Sequence, residues 1–185
     1  MKTSFLRVLL AILVFAAGAL VGAGQDKAAA ETAAQATERI GVYDSRAVAV
    51  AFAGSPAHSR RLDRLRERQE AAKAAGDSEG VSRAVAEARA GQRRAHLQAF
   101  STAPVDDILA ELADVLPAIK KEVGVSALVS KWDEPELRRH AGADRVDVTS
   151  RLIDACQPTE RQRRSAMEIQ KHAPIPLERA AGAMD

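Results

Sequence analysis

The stretch that decides the fold is RIGVYDSRAVAVAF, residues 39–52. Its first half, RIGVYDS (39–45), places Ile40, Val42 and Tyr43 before Asp44, which predicts a short strand that ends at a polar turn. The segment AVAVAFA (47–53) is apolar on every side, so it suits either a strand or a helix. We favour the start of a buried helix, because alanine dominates the segment.

Two charged helices are predicted after this stretch, over about 56–100. Ser55 is a suitable cap and Pro56 a suitable first-turn residue for the first helix, and the turn at 76–78 ends it and caps the second. The apolar residues of both helices form a narrow seam, which predicts an antiparallel hairpin. The pair has no third apolar face, so we expect it to project from the rest of the molecule.

The remaining pattern completes an α+β fold that is mostly helical. Residues 102–123 are amphipathic at helical spacing, with a kink expected at Pro117, and SALVSKW (126–132) predicts a buried strand. Val146 leads into a short helix with Leu152 and Ile153 on its apolar side, capped by Asp147 or Thr149. Aromatic residues make up only 3% of the chain, which favours closely packed helices over a large β-sandwich.

Both ends of the chain differ in composition from the middle. Residues 1–23 have a short basic start and then the apolar run VLLAILVFAAGALVGA, which is the order of a secretory signal peptide. Cleavage after Ala23 and retention as a membrane anchor, with membrane association through residues 5–23, remain as alternatives. Residues 24–38 are predicted to be a linker, and 157–185 a charged, proline-containing tail that is loosely held.

The charge balance bears on partners. The formal net charge is +2, but the first 24 residues carry Lys2 and Arg7 and no acid, so the rest of the chain is neutral. A neutral chain has no overall field that would attract it to DNA, and few aromatic residues are available to stack on bases. We therefore expect no nucleic-acid partner.

The order of elements resembles the Skp/OmpH family of periplasmic chaperones. The resemblance covers roughly residues 39–156 and rests on RIGVYDSRAVAVAF (39–52), the hairpin, KKEVGVSALVSKW (120–132) and RVDVTSRLIDA (145–155). It implies a homotrimer in which small strand clusters form a shared base and helical arms enclose unfolded outer-membrane proteins. This chain has shorter arms, a neutral charge without its first segment, and the additional tail.

No motif for catalysis is present. The chain lacks GxGxxG, GxxxxGK[ST], HExxH and GxSxG, and its four histidines have no paired spacing, so we expect neither an enzyme nor a cofactor or metal site. Cys156 is interpreted as a small buried apolar residue, and Trp132 as a core or interface residue at the end of a strand.

Two functions from different classes follow from these observations. The first is a Skp-like periplasmic holdase that binds unfolded envelope proteins without ATP. The second is a non-catalytic structural or adaptor protein of the cell envelope, anchored in the inner membrane by its N-terminal segment. For the first, the candidate client contacts are Leu62, Leu65, Val81, Val85, Arg60, Arg61, Arg64 and Arg68, and the candidate trimer contacts at the base are Ile40, Val42, Leu128 and Val129.

Overall fold

A parallel sheet of three strands lies beside the helices in the computed structural model, which describes residues 37–183. Strand β1 (Arg39–Tyr43) is central, between β2 (Ala127–Ser130) and β3 (Asp144–Asp147). Ile40 pairs with Ala127 on one side and with Arg145 on the other. The predicted strands at 39–45 and 126–132 are confirmed, whereas β3 occupies residues that we expected only to lead into a helix.

Helices make up most of the rest, which confirms the mostly helical α+β class. Their bounds are α1 Ser45–Phe52, α2 Pro56–Ala74, α3 Ser78–Phe100, α4 Asp106–Glu111, α5 Leu116–Val123, α6 Glu134–Arg139, α7 Thr149–Ala155, α8 Glu160–Ile169 and α9 Leu177–Gly182.

The predicted capping residues of the two long helices are confirmed. The Ser55 hydroxyl accepts a hydrogen bond from the His58 backbone N–H at 3.0 Å, and the Asp77 carboxylate accepts one from Gly80 at 2.8 Å. Gly76 has a φ of 68°, a left-handed conformation that lets the chain leave α2 at no steric cost. Helices α2 and α3 pack against each other.

The core is built around α1. This helix contacts α3, α7 and α8, and Ala47, Val48 and Ala51 have no exposed surface. Val105 and Ile108 from the start of α4, together with Leu152 and Ile153 of α7, complete the same cluster. The core is therefore aliphatic and rich in alanine, as the composition predicts.

The segment 102–123 departs from its prediction. It forms two short helices, α4 and α5, instead of one kinked helix. Pro117 lies in the first turn of α5, where its missing N–H costs nothing, so the chain turns before the proline and restarts the helix there.

The expectation of a loosely held tail is wrong. Helix α8 packs along α1, and the side chain of Ala166 has no exposed surface. Helix α9 contacts α3, and the Ile175 N–H donates to the carbonyl of Phe100 at 2.9 Å. The charged surface of α8 conceals a narrow contact made by small residues, which hydrophobic spacing does not reveal.

The predicted signal peptide or anchor (1–23) and residues 24–36 of the predicted linker lie outside the described residues. Within 37–183, no helix has the length and apolar character needed to cross a bilayer.

Candidate functional site

An open groove of about 1520 Å³ runs between the pair α2–α3 and helix α8. Residues of α1 and α4, among them Val50, Phe52 and Ile108, close its inner end. The small residues Ala88, Gly91, Ala95 and Ala99 of α3 are part of its lining, together with longer polar and charged side chains. The groove thus has an aliphatic surface with charged side chains along its walls.

The structure brings five of the eight predicted client contacts into this groove. They are Leu62, Leu65, Arg61, Arg64 and Arg68. Leu62 is 44% exposed, so a large part of its side chain is open to a ligand in the groove.

The other three predicted contacts lie elsewhere. Val81 and Val85 are half-buried in α3 toward the turn, and Arg60 is exposed on α2 outside the groove. The heptad-like spacing identified α2 correctly but missed Ala84, the apolar residue of α3 that is buried. A small residue at a close helix contact gives little hydrophobic signal, so spacing does not distinguish Ala84 from the other alanines of α3.

Charged groups of the groove are partly paired with each other. The Asp107 carboxylate lies 3.6 Å from the Arg61 guanidinium and 3.5 Å from that of Arg94. Arg68 pairs with Glu87 at 2.7 Å. Arg64 has no ion-pair or hydrogen-bond partner within 37–183 and is free to meet a ligand.

The four predicted base contacts do not share one surface. Ile40, Val42 and Val129 lie on the same face of the sheet, because Val42 pairs with Val129 and residues two apart in a strand point the same way. Leu128 points to the other face, where its side chain packs over Gly41. Ile40 and Val129 are buried within the single chain, and Val42 is half-buried.

A buried polar cluster fixes the carboxyl ends of β1 and β2. Asp44 and Arg46 have 1% or less of their side chains exposed and form a two-point ion pair at 3.0 and 3.2 Å. The second oxygen of Asp44 also accepts from the Lys131 ammonium at 2.7 Å, and the first from the Trp132 indole N–H at 3.2 Å. Trp132 additionally lies within 5 Å of both cations.

This cluster is structural, because the carboxylate has no acceptor capacity left. Two side-chain donors and the backbone N–H of Arg46 bind one oxygen, and two more bind the other. Burial acts to raise the pKa of Asp44, but the hydrogen bonds from Arg46, Lys131 and Trp132 outweigh it and hold that pKa below its usual range. Trp132 is half-buried just after β2, and its indole N–H is bound to this buried carboxylate.

Other reactive groups offer little chemistry. Burial raises the pKa of the Cys156 thiol to about 12, so it remains protonated and unreactive at neutral pH. Burial, together with the negative charges of Asp106 and Asp133, raises the pKa of Tyr43 to about 12. Over residues 37–183 no cluster of His, Cys, Asp and Glu is arranged to hold a metal ion.

Comparison of the chain with models of known protein families, with curated proteins and with solved structures finds no match.

Proposed function

We propose that the protein is a holdase chaperone that binds unfolded envelope proteins without ATP, in the manner that the resemblance to the Skp/OmpH family implies. The observation that carries the proposal is the open groove with Leu62 and Leu65 beside the free guanidinium of Arg64. Aliphatic surface next to charged side chains suits an unfolded chain, whose contacts are numerous and individually weak.

The size of the groove favours a polypeptide over a small molecule. Pockets for small ligands usually enclose about 300–1,000 Å³ and bury most of the ligand. This groove is larger, at about 1520 Å³, and it is partly open to solvent. A segment of unfolded chain can lie in it while the rest of the client remains outside.

We further propose that α2 and α3 form an antiparallel hairpin that serves as the arm, and that three chains assemble through the sheet face bearing Val42. The ion pair between Arg68 and Glu87 across the two helices supports the hairpin. Export to the periplasm, with or without cleavage after Ala23, rests on the sequence of residues 1–23.

The test is suppression of aggregation when a urea-denatured outer-membrane β-barrel protein is diluted, followed by light scattering. The wild-type chain is expected to suppress scattering without ATP. Leu62→Ser should weaken client binding roughly fivefold, because it removes about 1 kcal/mol of apolar contact. Met167→Ser is the matched control: Met167 is 48% exposed but does not line the groove, so its loss should leave suppression unchanged.

The result that rejects the proposal is a folded wild-type chain that suppresses nothing. The envelope adaptor would then be the better assignment. Equal loss in Leu62→Ser and Met167→Ser would show that the client contacts are not confined to the groove.

A further inference from the structure

Helix α8, in the segment predicted to be a tail, presents one regular face to the groove. Its lining residues are Arg161, Gln162, Ser165, Glu168 and Ile169, a spacing of three to four residues that places them on one side of the helix. Ala166, between them, faces α1 and is fully buried. The tail therefore supplies a wall opposite the wall formed by Leu62 and Leu65.

This wall is held firmly in place. The Thr159 N–H donates to the Gly54 carbonyl at 3.2 Å, just before α8 begins. A Cβ on Gly54 would lie 2.5 Å from the Gln162 side chain, so the close approach of α8 depends on glycine there. Arg163 also pairs with Asp154 of α7. The position of α8 is thus fixed by the Gly54 loop at its N-terminal end and by α7, as well as by its core contact.

The charges of the two walls cancel. Five arginines and five acidic residues line the groove: Arg61, Arg64, Arg68, Arg94, Arg161, Glu67, Glu87, Asp107, Glu111 and Glu168. A lining with no net charge neither attracts a strongly acidic or basic peptide nor repels an uncharged apolar one. The complementary occupant is a segment of low net charge with aliphatic side chains.

We infer that α8 is half of the client site and that the groove takes an extended, aliphatic polypeptide segment of low net charge between α8 and the pair α2–α3. The inference rests on the proposed holdase function and adds the tail to its binding surface. Ser165 lies midway along the wall and is exposed, so it is the position from which a bound segment should be reached.

The test is site-directed photo-cross-linking with the full chain. Ser165→Cys and, as control, Met167→Cys are labelled with a benzophenone maleimide; Cys156 is buried and should remain unlabelled. Met167 lies two residues away, about 200° around the helix, and does not line the groove. The probe is a urea-denatured outer-membrane β-barrel protein, diluted with the labelled chaperone and irradiated.

We expect a cross-link to the client from position 165 and little or none from position 167. Ser165→Trp, which places a bulky ring in the path of a bound segment, should reduce the aggregation suppression, whereas Met167→Trp should retain it; circular dichroism checks that both fold. If Ser165→Trp fails to fold, the cross-linking result decides.

Several outcomes overturn the inference while the holdase function stands. They are suppression of aggregation without a cross-link at 165, equal cross-linking at 165 and 167, a cross-link only to a second copy of the chain, and competition by poly-glutamate but not by an uncharged aliphatic peptide. Absence of suppression by the wild-type chain instead removes the holdase proposal itself.

Discussion

Asp44 is the residue on which the end of the sheet depends. Its carboxylate joins Arg46, in the first turn of the helix that Asp44 caps, to Lys131 and Trp132 just after the neighbouring strand. A buried ion pair of this kind adds little net stability compared with an apolar pair, but removal of one partner leaves the other charges unpaired in the interior. Substitution of Asp44 therefore lowers the stability by more than the ion pair adds relative to an apolar pair.

We expect Asp44→Asn to lower the free energy of unfolding by about 3–5 kcal/mol, because Arg46 would remain buried without its counter-charge. Because the folded-state pKa of Asp44 lies below its unfolded value near 3.8, its contribution is complete above that pH and is lost as the pH falls through the folded pKa. Urea unfolding at pH 7 and at pH 3 measures this. The difference in the free energy of unfolding between wild type and Asp44→Asn should be smaller at pH 3 than at pH 7. An equal difference at both pH values would contradict a stabilising role for the ionised Asp44 carboxylate.

Gly54 provides a second prediction at this scale. Gly54→Ala should move α8 away from the loop, because the new methyl group would collide with Gln162. We expect a loss of about 1–3 kcal/mol in the free energy of unfolding, as for other overpacked sites, and faster hydrogen exchange in α8. Gly91→Ala on α3 is the control for exchange in α8: a Cβ there meets no atom within 4 Å, and the variant should raise stability slightly, as alanine does inside a helix. Unchanged exchange in α8 would show that the loop adapts.

At the scale of elements, hydrophobic periodicity predicted those helices and strands that pack through large apolar side chains. The strand at Ile40 and Val42 and the two long helices could be predicted because their apolar residues and capping residues are explicit in the sequence. Strand β3 could not, because its four residues, DRVD, include a single apolar side chain and it pairs only with the distant β1. Parallel pairing between remote segments has no local signature.

Only one wall of the groove could be predicted from the sequence, because the other depends on small residues. Leu62 and Leu65 stand out on α2, but the opposite wall depends on Ala166 and Gly54, whose small size is what allows α8 to approach. Small residues are frequent in this chain and are ambiguous in a pattern of hydrophobicity. The segment 157–185, which the sequence predicts to be a loosely held tail, therefore packs against the rest of the fold.

At the scale of the whole molecule, Val42 is the residue that tests assembly. The single chain already buries Ile40 and Val129, so of the three predicted contacts on this face of the sheet only Val42 retains substantial exposed surface. We expect sedimentation equilibrium of the wild-type chain to give three times the 19.7 kDa of one chain. Val42→Glu should give a folded monomer, because a charge would enter the proposed interface without an ion-pair partner.

Thr37→Glu, at an exposed position just before the same strand, is the matched control and should leave the trimer intact. A wild-type chain of monomeric mass contradicts the assembly. An unfolded Val42→Glu variant beside a trimeric wild type would assign Val42 to the interior of the single chain.

The central strand of the sheet is also the first of the three to be synthesised. Ile40 can pair with Ala127 only after 87 further residues have been synthesised, and with Arg145 later still. Until then, both edges of β1 are not covered. At about 5–20 residues per second, the shorter of these intervals takes roughly 4–17 s. During that time the nascent chain displays an apolar strand with two open edges, so it is itself an unfolded, aggregation-prone polypeptide until its last third emerges.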